Sequence, residues 1–120
     1  MTLTLYTEGY FSAAHCIEGY DGKCSKLHGH SWKVCVWVKG EESQKQENGI
    51  LWDFNNIKKI ISAFDHTYLN EILQINPTVE NITSYVYSVL KKDYGSLSFK
   101  VRVYESLLSK RSYCESGDFG

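Results

Sequence analysis

The chain holds one proline and one methionine, has no excess of either charge, and contains no long apolar run. The longest apolar stretches fall far short of the roughly 18–20 residues that a membrane span requires, so no membrane partner is expected. Lysine and arginine total 13 against 14 aspartates and glutamates, a net charge of −1. No global basic field announces a nucleic-acid partner. No Gly-x-Gly-x-x-Gly or Walker sequence is present, which argues against dinucleotide and nucleotide-triphosphate folds. The four cysteines, Cys16, Cys24, Cys35 and Cys114, include no Cys-x-x-Cys pair, so a zinc ribbon or thioredoxin-like motif is not expected. The N-terminus alternates as Met-Thr-Leu-Thr-Leu-Tyr, the pattern of a strand and not of a signal peptide. A cytoplasmic protein with reduced thiols follows as the expectation.

What is present is an ordinary globular composition, 42% hydrophobic and 22% charged over 120 residues. That length predicts a single domain over residues 1–120 with one modest core. Thr2 to His15 reads as a strand, with a bend expected at Gly9, and Glu18 to Lys26 as a polar loop. Leu27 to Lys39 alternates most clearly: His28, His30, Trp32, Val34, Val36 and Val38 share one face. Gly40 to Asn48 reads as a hairpin-like connection, with a returning strand from Gly49 to Trp52. Asp53 then reads as the N-cap of a helix whose stripe is Phe54, Ile57, Ile60, Ile61 and Phe64. Thr78 caps a second helix with Val79, Ile82, Val86, Val89 and Leu90 as its buried stripe. Leu97, Phe99, Val101 and Val103 alternate through another strand, and Arg111 to Glu115 adds a short last one. Strands followed by helices and strands again give an α+β domain.

Chemistry concentrates around the four histidines. His28 and His30 are two apart on a strand, so their rings project to one side with Cα atoms roughly 6.5–7 Å apart. Two such imidazoles converge on one metal, and the glycine between them leaves room. A third ligand must come from elsewhere, and His15 ends the first strand. Three histidines with one open position make a catalytic zinc arrangement, although the His-x-His motif alone is also what packing produces. Cys24, between Lys23 and Lys26, is an inert loop cysteine or, near a metal, a thiol pushed toward the thiolate, a nucleophile or base. Asp65 and His66 are an adjacent acid and imidazole, a proton-transfer pair or a helix-terminal histidine answering the dipole. Glu105 falls in phase with the apolar side of its strand, where a carboxylate needs a partner; a ligand with N–H donors provides one, unless the strand ends at Tyr104.

Six stretches together resemble the family of 6-pyruvoyl-tetrahydropterin and 6-carboxytetrahydropterin synthases. They are Phe-Ser-Ala-Ala-His (11–15), Cys-Ser-Lys-Leu-His-Gly-His-Ser (24–31), Gly-Ile-Leu-Trp-Asp-Phe (49–54), Phe-Asp-His-Thr-Tyr-Leu-Asn (64–70), Asn-Pro-Thr-Val-Glu-Asn (76–81) and Val-Tyr-Glu-Ser (103–106). The Cys-x-x-x-His-Gly-His spacing resembles the bacterial branch that serves queuosine and deazapurine synthesis. The resemblance implies the tunnelling fold: an antiparallel four-stranded sheet with two helices on one face, subunits joining into a barrel and a hexamer. It implies one zinc per subunit on His15, His28 and His30, with Cys24, Asp65 and His66 moving protons at sites shared between subunits. Glu105 would anchor the pterin, with Thr78 nearby. Lys23 and Lys26 are candidate contacts for the triphosphate or else ordinary solvated lysines, and magnesium is a candidate counterion of the triphosphate. The implied reaction converts dihydroneopterin triphosphate to 6-carboxytetrahydropterin with release of triphosphate and acetaldehyde. Alternatives are a 6-pyruvoyl product from the same site and a pterin- or metal-binding oligomer without catalysis. The chain departs from the pattern at Thr67, where that branch often carries a second histidine, and over Leu107 to Gly120.

Overall fold

The structure, a computed structural model, describes the chain apart from residues 20–27 and 107–111 and the side chain of residue 28. Its elements are β1 (Thr2–His15), β2 (His28–Glu41), α1 (Asn55–Ser62), β3 (Thr67–Tyr68), α2 (Leu69–Ile72), α3 (Val79–Asp93), β4 (Ser98–Tyr104) and β5 (Tyr113–Gly117). They form one five-stranded sheet in the order β3-β1-β2-β4-β5. All neighbours are antiparallel except β1 and β3, which run parallel. The architecture is α+β, as expected, and among the described residues the sheet has five strands, one more than expected.

The strand expected at Gly49 to Trp52 does not form. Gly49 sits at φ 88, a left-handed conformation that suits glycine, and the local hydrogen bonds are those of a turn. Gln46 N–H donates to the Ile50 carbonyl, and Ile50 N–H to Asn48 Oδ1. Leu51 and Trp52 are instead buried as plugs under the sheet. The fifth strand is the two-residue β3, too short to show alternation. Asp53 is not the N-cap of the next helix, a position that Phe54 holds; it stands one residue earlier, where its Oδ1 accepts the Asn55 N–H at 2.9 Å in the turn that leads into the helix.

β1 and β2 pair over fourteen residues in one unbroken register, from Thr2 opposite Glu41 to His15 opposite His28. One face of this ribbon carries Phe11, Trp32, Val34, Val36 and Val38 into the core with Phe99, Val101 and Val103 of β4. α1 and α3 cover that face through Ile57, Ile82, Val86 and Leu90, all nearly or fully buried. Phe54, assigned to the α1 stripe by periodicity, is exposed because the helix starts after it. The opposite face is polar and aromatic. There Glu8 accepts hydrogen bonds from Tyr6 and Tyr10 and pairs with Lys33 at 3.4 Å, while Arg102 stacks 4.1 Å over the Tyr113 ring. Among the described residues no helix is long and apolar enough to cross a membrane.

Gly9 does not bend the strand, since the register runs straight through it. It admits α1: a Cβ there would lie 2.7 Å from Ile61 Cδ1 and 3.5 Å from Ile57 Cδ1. Replacing Gly9 by valine should therefore lift α1 off β1. We expect a loss of about 1–3 kcal/mol, the usual cost of overpacking, read as a lowered urea midpoint. An unchanged midpoint would show that α1 yields without cost.

Candidate functional site

The site lies where the helix-covered core ends and β1 and β2 run on. His15 and His30 project from the same sheet face as the core valines. The register sets His15 opposite His28 and His30 opposite Ala13, so His15 and His30 are diagonal neighbours. Trp32 forms their floor, its ring 4.9 Å from that of His15 and 5.6 Å from that of His30, both edge-on. The two imidazole centroids are 5.2 Å apart.

His15 is wholly buried, and its Nδ1 lies 2.8 Å from the carbonyl oxygen of Pro77. A carbonyl only accepts, so Nδ1 carries the hydrogen and Nε2 of the neutral ring is left as an acceptor. That nitrogen faces Glu105, the residue after β4, with Oε1 at 3.6 Å; His30 Nε2 lies 2.9 Å from the same oxygen. The three ligand atoms fall within 4.8 Å of one another. Tetrahedral zinc with bonds of about 2.0–2.1 Å would set its ligand atoms about 3.3 Å apart, and 2.9 and 3.6 Å bracket that spacing. A nitrogen acceptor turned toward a carboxylate is an arrangement that a cation reconciles. The donor set therefore fits a zinc-type ion.

The expected residues are thus partly regrouped. His15 and His30 meet as anticipated, and Glu105, read as a ligand anchor, stands against them. His28 begins β2 opposite His15, but its side chain lies outside the described residues. Cys24, Lys23 and Lys26 also lie outside them. Thr78 is the N-cap of α3, its Oγ1 accepting the Asn81 N–H at 3.1 Å.

Asp65 and His66 are held to β1 by the backbone of Ser12. Ser12 N–H donates to Asp65 Oδ1 at 2.9 Å, and His66 N–H to the Ser12 carbonyl at 2.6 Å. His66 adopts φ 59, a left-handed conformation uncommon for a residue with a side chain. Its ring is 84% exposed, with Nε2 3.6 Å from Asp65 Oδ2. A cavity of about 700 Å³ joins the two groups, lined by His30, Gly29, Ser12, Ser106 and His66 among others. That volume is ordinary for a small-molecule site. The Pro77 carbonyl and Ser12 were not anticipated, since backbone groups leave no mark in a sequence.

Gly29 opens on this cavity, and a Cβ there would meet nothing within 4 Å. Gly29→Val should fold normally while it obstructs the cavity. We expect KM to rise at least tenfold at unchanged melting temperature, and wild-type kinetics would remove the cavity from the reaction.

The family model described as 6-pyruvoyl tetrahydropterin synthase matches residues 4–116. A putative 6-carboxy-5,6,7,8-tetrahydropterin synthase of Archaeoglobus fulgidus is 44% identical over 80% of this chain and 82% of its own. The 6-carboxy-5,6,7,8-tetrahydropterin synthase of Synechocystis is 32% identical over 91% of both chains. A dihydroneopterin monophosphate aldolase of Pyrococcus furiosus is 33% identical over 92% of this chain and 87% of its own. Among solved structures, the 6-pyruvoyl tetrahydropterin synthase of Caenorhabditis elegans shares the fold, with a TM-score of 0.75, 24% identity and coverage of 99% and 97%. With a family match across nearly its whole length and relatives that span most of both sequences, this chain is an enzyme of the 6-pyruvoyl tetrahydropterin synthase family, a lyase.

Proposed function

We propose that this enzyme converts 7,8-dihydroneopterin triphosphate to 6-carboxy-5,6,7,8-tetrahydropterin, releasing triphosphate and acetaldehyde, as the zinc-dependent step of queuosine and deazapurine synthesis. The observation that carries this reading is the cluster of His15, His30 and Glu105, beside a cavity lined by His30 and His66. The names of the A. fulgidus and Synechocystis relatives support the carboxy product.

In this reading His15, His28 and His30 hold the zinc. When bound, the ion polarises a hydroxyl of the substrate side chain and acidifies the neighbouring C–H bonds. Glu105, which lies against His15 and His30, accepts N–H donors from the amidine-like edge of the pterin in the complex, with Thr78 close by. Cys24 as thiolate and His66, oriented by Asp65, carry protons between the side chain and the ring. The ring is reduced as the chain is oxidised, so no nicotinamide or flavin is needed. Lys23 and Lys26 meet the triphosphate, with magnesium as its counterion. The subunits assemble as a hexamer in the cytoplasm, with sites shared between neighbours. A radius of gyration of 15.3 Å, against about 13.6 Å for a compact chain of this length, agrees with a subunit shaped for assembly.

The P. furiosus relative gives a second reading, cleavage of a C–C bond in dihydroneopterin monophosphate. Zinc-loaded protein given each substrate in turn separates the two. Acetaldehyde with a carboxypterin from the triphosphate establishes the proposal. A pyruvoyl product without acetaldehyde, or turnover of the monophosphate alone, replaces it, and no turnover leaves a binding protein. Cys24→Ala should abolish turnover while zinc content stays at the wild-type level.

His66→Gly separates backbone from chemistry. Glycine accepts the left-handed conformation without the roughly 1–2 kcal/mol that a Cβ costs there, so the variant should melt no lower than wild type. Its kcat should fall about 10²–10⁴-fold, the range of a lost proton-transfer group. Retained kcat would take the imidazole out of the mechanism.

A further inference from the structure

The outer edge of β1 is satisfied in an unusual way. Even-numbered residues from Ser12 to Glu18 turn toward the segment 65–77, and the partner changes along the row. Ser12 bonds Asp65 Oδ1 and the His66 N–H, and Ala14 lies beside Tyr68 of β3. Beyond that point β3 has ended, and two asparagine side chains take over. Asn70 Oδ1 accepts the Cys16 N–H at 2.8 Å, while its Nδ2 donates to the Cys16 carbonyl at 2.7 Å. Asn76 repeats the pattern two residues on, accepting from Glu18 N–H at 3.0 Å and donating to the Glu18 carbonyl at 2.9 Å. A primary amide carries one acceptor and one donor side by side, as a peptide group of an edge strand does. The spacing of two residues is that of a β ladder.

Asn76 is itself anchored. Its carbonyl accepts the Thr78 N–H and Asn81 Nδ2, each at 2.8 Å, which tie it to the start of α3. The next residue is Pro77, whose carbonyl receives the Nδ1 hydrogen of His15. The segment that grips the chain just after His15 therefore also orients the His15 ring. Either contact alone would leave one end of the residue free to swing.

We propose that Asn70 and Asn76 are positioning residues, which continue the β1 edge through side-chain amide pairs and so hold the His15 imidazole with Nε2 turned to the metal centre. Neither touches the metal or the substrate. The consequence for metal binding rests on the zinc reading above, whereas the consequence for the ring does not.

The discriminating changes are Asn70→Asp and Asn76→Asp. Each keeps the shape of the side chain but sets a carboxylate oxygen against a backbone carbonyl and removes the donor. Two readouts separate positioning from bulk stability. In metal-free protein at fixed neutral pH, histidine-selective nitrogen NMR reads the ring hydrogen of His15. The wild type should show the Nδ1–H form, and the variants a mixture of tautomers. Competition with a chromophoric chelator, and the visible spectrum of the cobalt-substituted protein, read the metal. Zinc affinity should fall about 10–100-fold, the usual effect of losing a partner that orients a metal ligand. Should an aspartate variant fail to fold, Asn70→Ser and Asn76→Ser are measured in its place, with the same expectation.

Variants that melt earlier but keep the Nδ1–H signal, the zinc affinity and the cobalt spectrum would overturn the proposal and leave the amides a purely structural role. A wild type that binds neither metal would overturn the zinc reading, and the NMR signal would still decide whether the asparagines position His15.

Discussion

The unbroken register between β1 and β2 is the constraint from which the rest follows. Fourteen consecutive pairs without a bulge fix which side every residue faces, because a slip of one residue would turn each side chain over. The same alternation that buries Phe11, Trp32, Val34, Val36 and Val38 sends His15 and His30 to that face farther along. The histidine cluster and the core are thus on one surface, and its inner part is sealed by α1 and α3.

The site is a corner where five pieces of chain meet. β1 and β2 supply the histidines and Trp32 their floor. The residue after β4 supplies the carboxylate of Glu105. The turn before α3 supplies a backbone carbonyl that selects the His15 tautomer, and Ser12 clips Asp65 and His66 to the edge of β1. His66 keeps an unfavourable backbone conformation at this corner with its ring in the open. Strain held in place by surrounding bonds is a common mark of functional positions. Here the bonds that hold it are the two to Ser12.

Much of this was readable beforehand, where the signal is periodic. The alternation through His30 to Val38, the stripe of α3 from Ile82 to Leu90 and the cap at Thr78 follow from spacing and propensity, and the structure bears them out. The short pieces were not readable. β3 has two residues and α2 four, too few for any period to appear. Gly49 to Trp52 looked like a strand because Leu51 and Trp52 are apolar, yet they are buried as plugs in a turn. Glu105 was marked as a carboxylate in need of partners, and its meeting with His15 and His30 depends on where β4 ends beside β2.

By itself the sequence determined the α+β class, the sheet face that carries His15 and His30, and the set of residues able to do chemistry. These depend on local pattern, which any stretch of chain carries within itself. Tertiary structure alone decided that Pro77 would orient His15, that Glu105 would close on two histidines, and that two asparagines would finish the edge of β1. Each of those contacts joins residues roughly fifty to ninety positions apart. Backbone carbonyls and side-chain amides look alike everywhere in a sequence, and only the folded register says which of them meet.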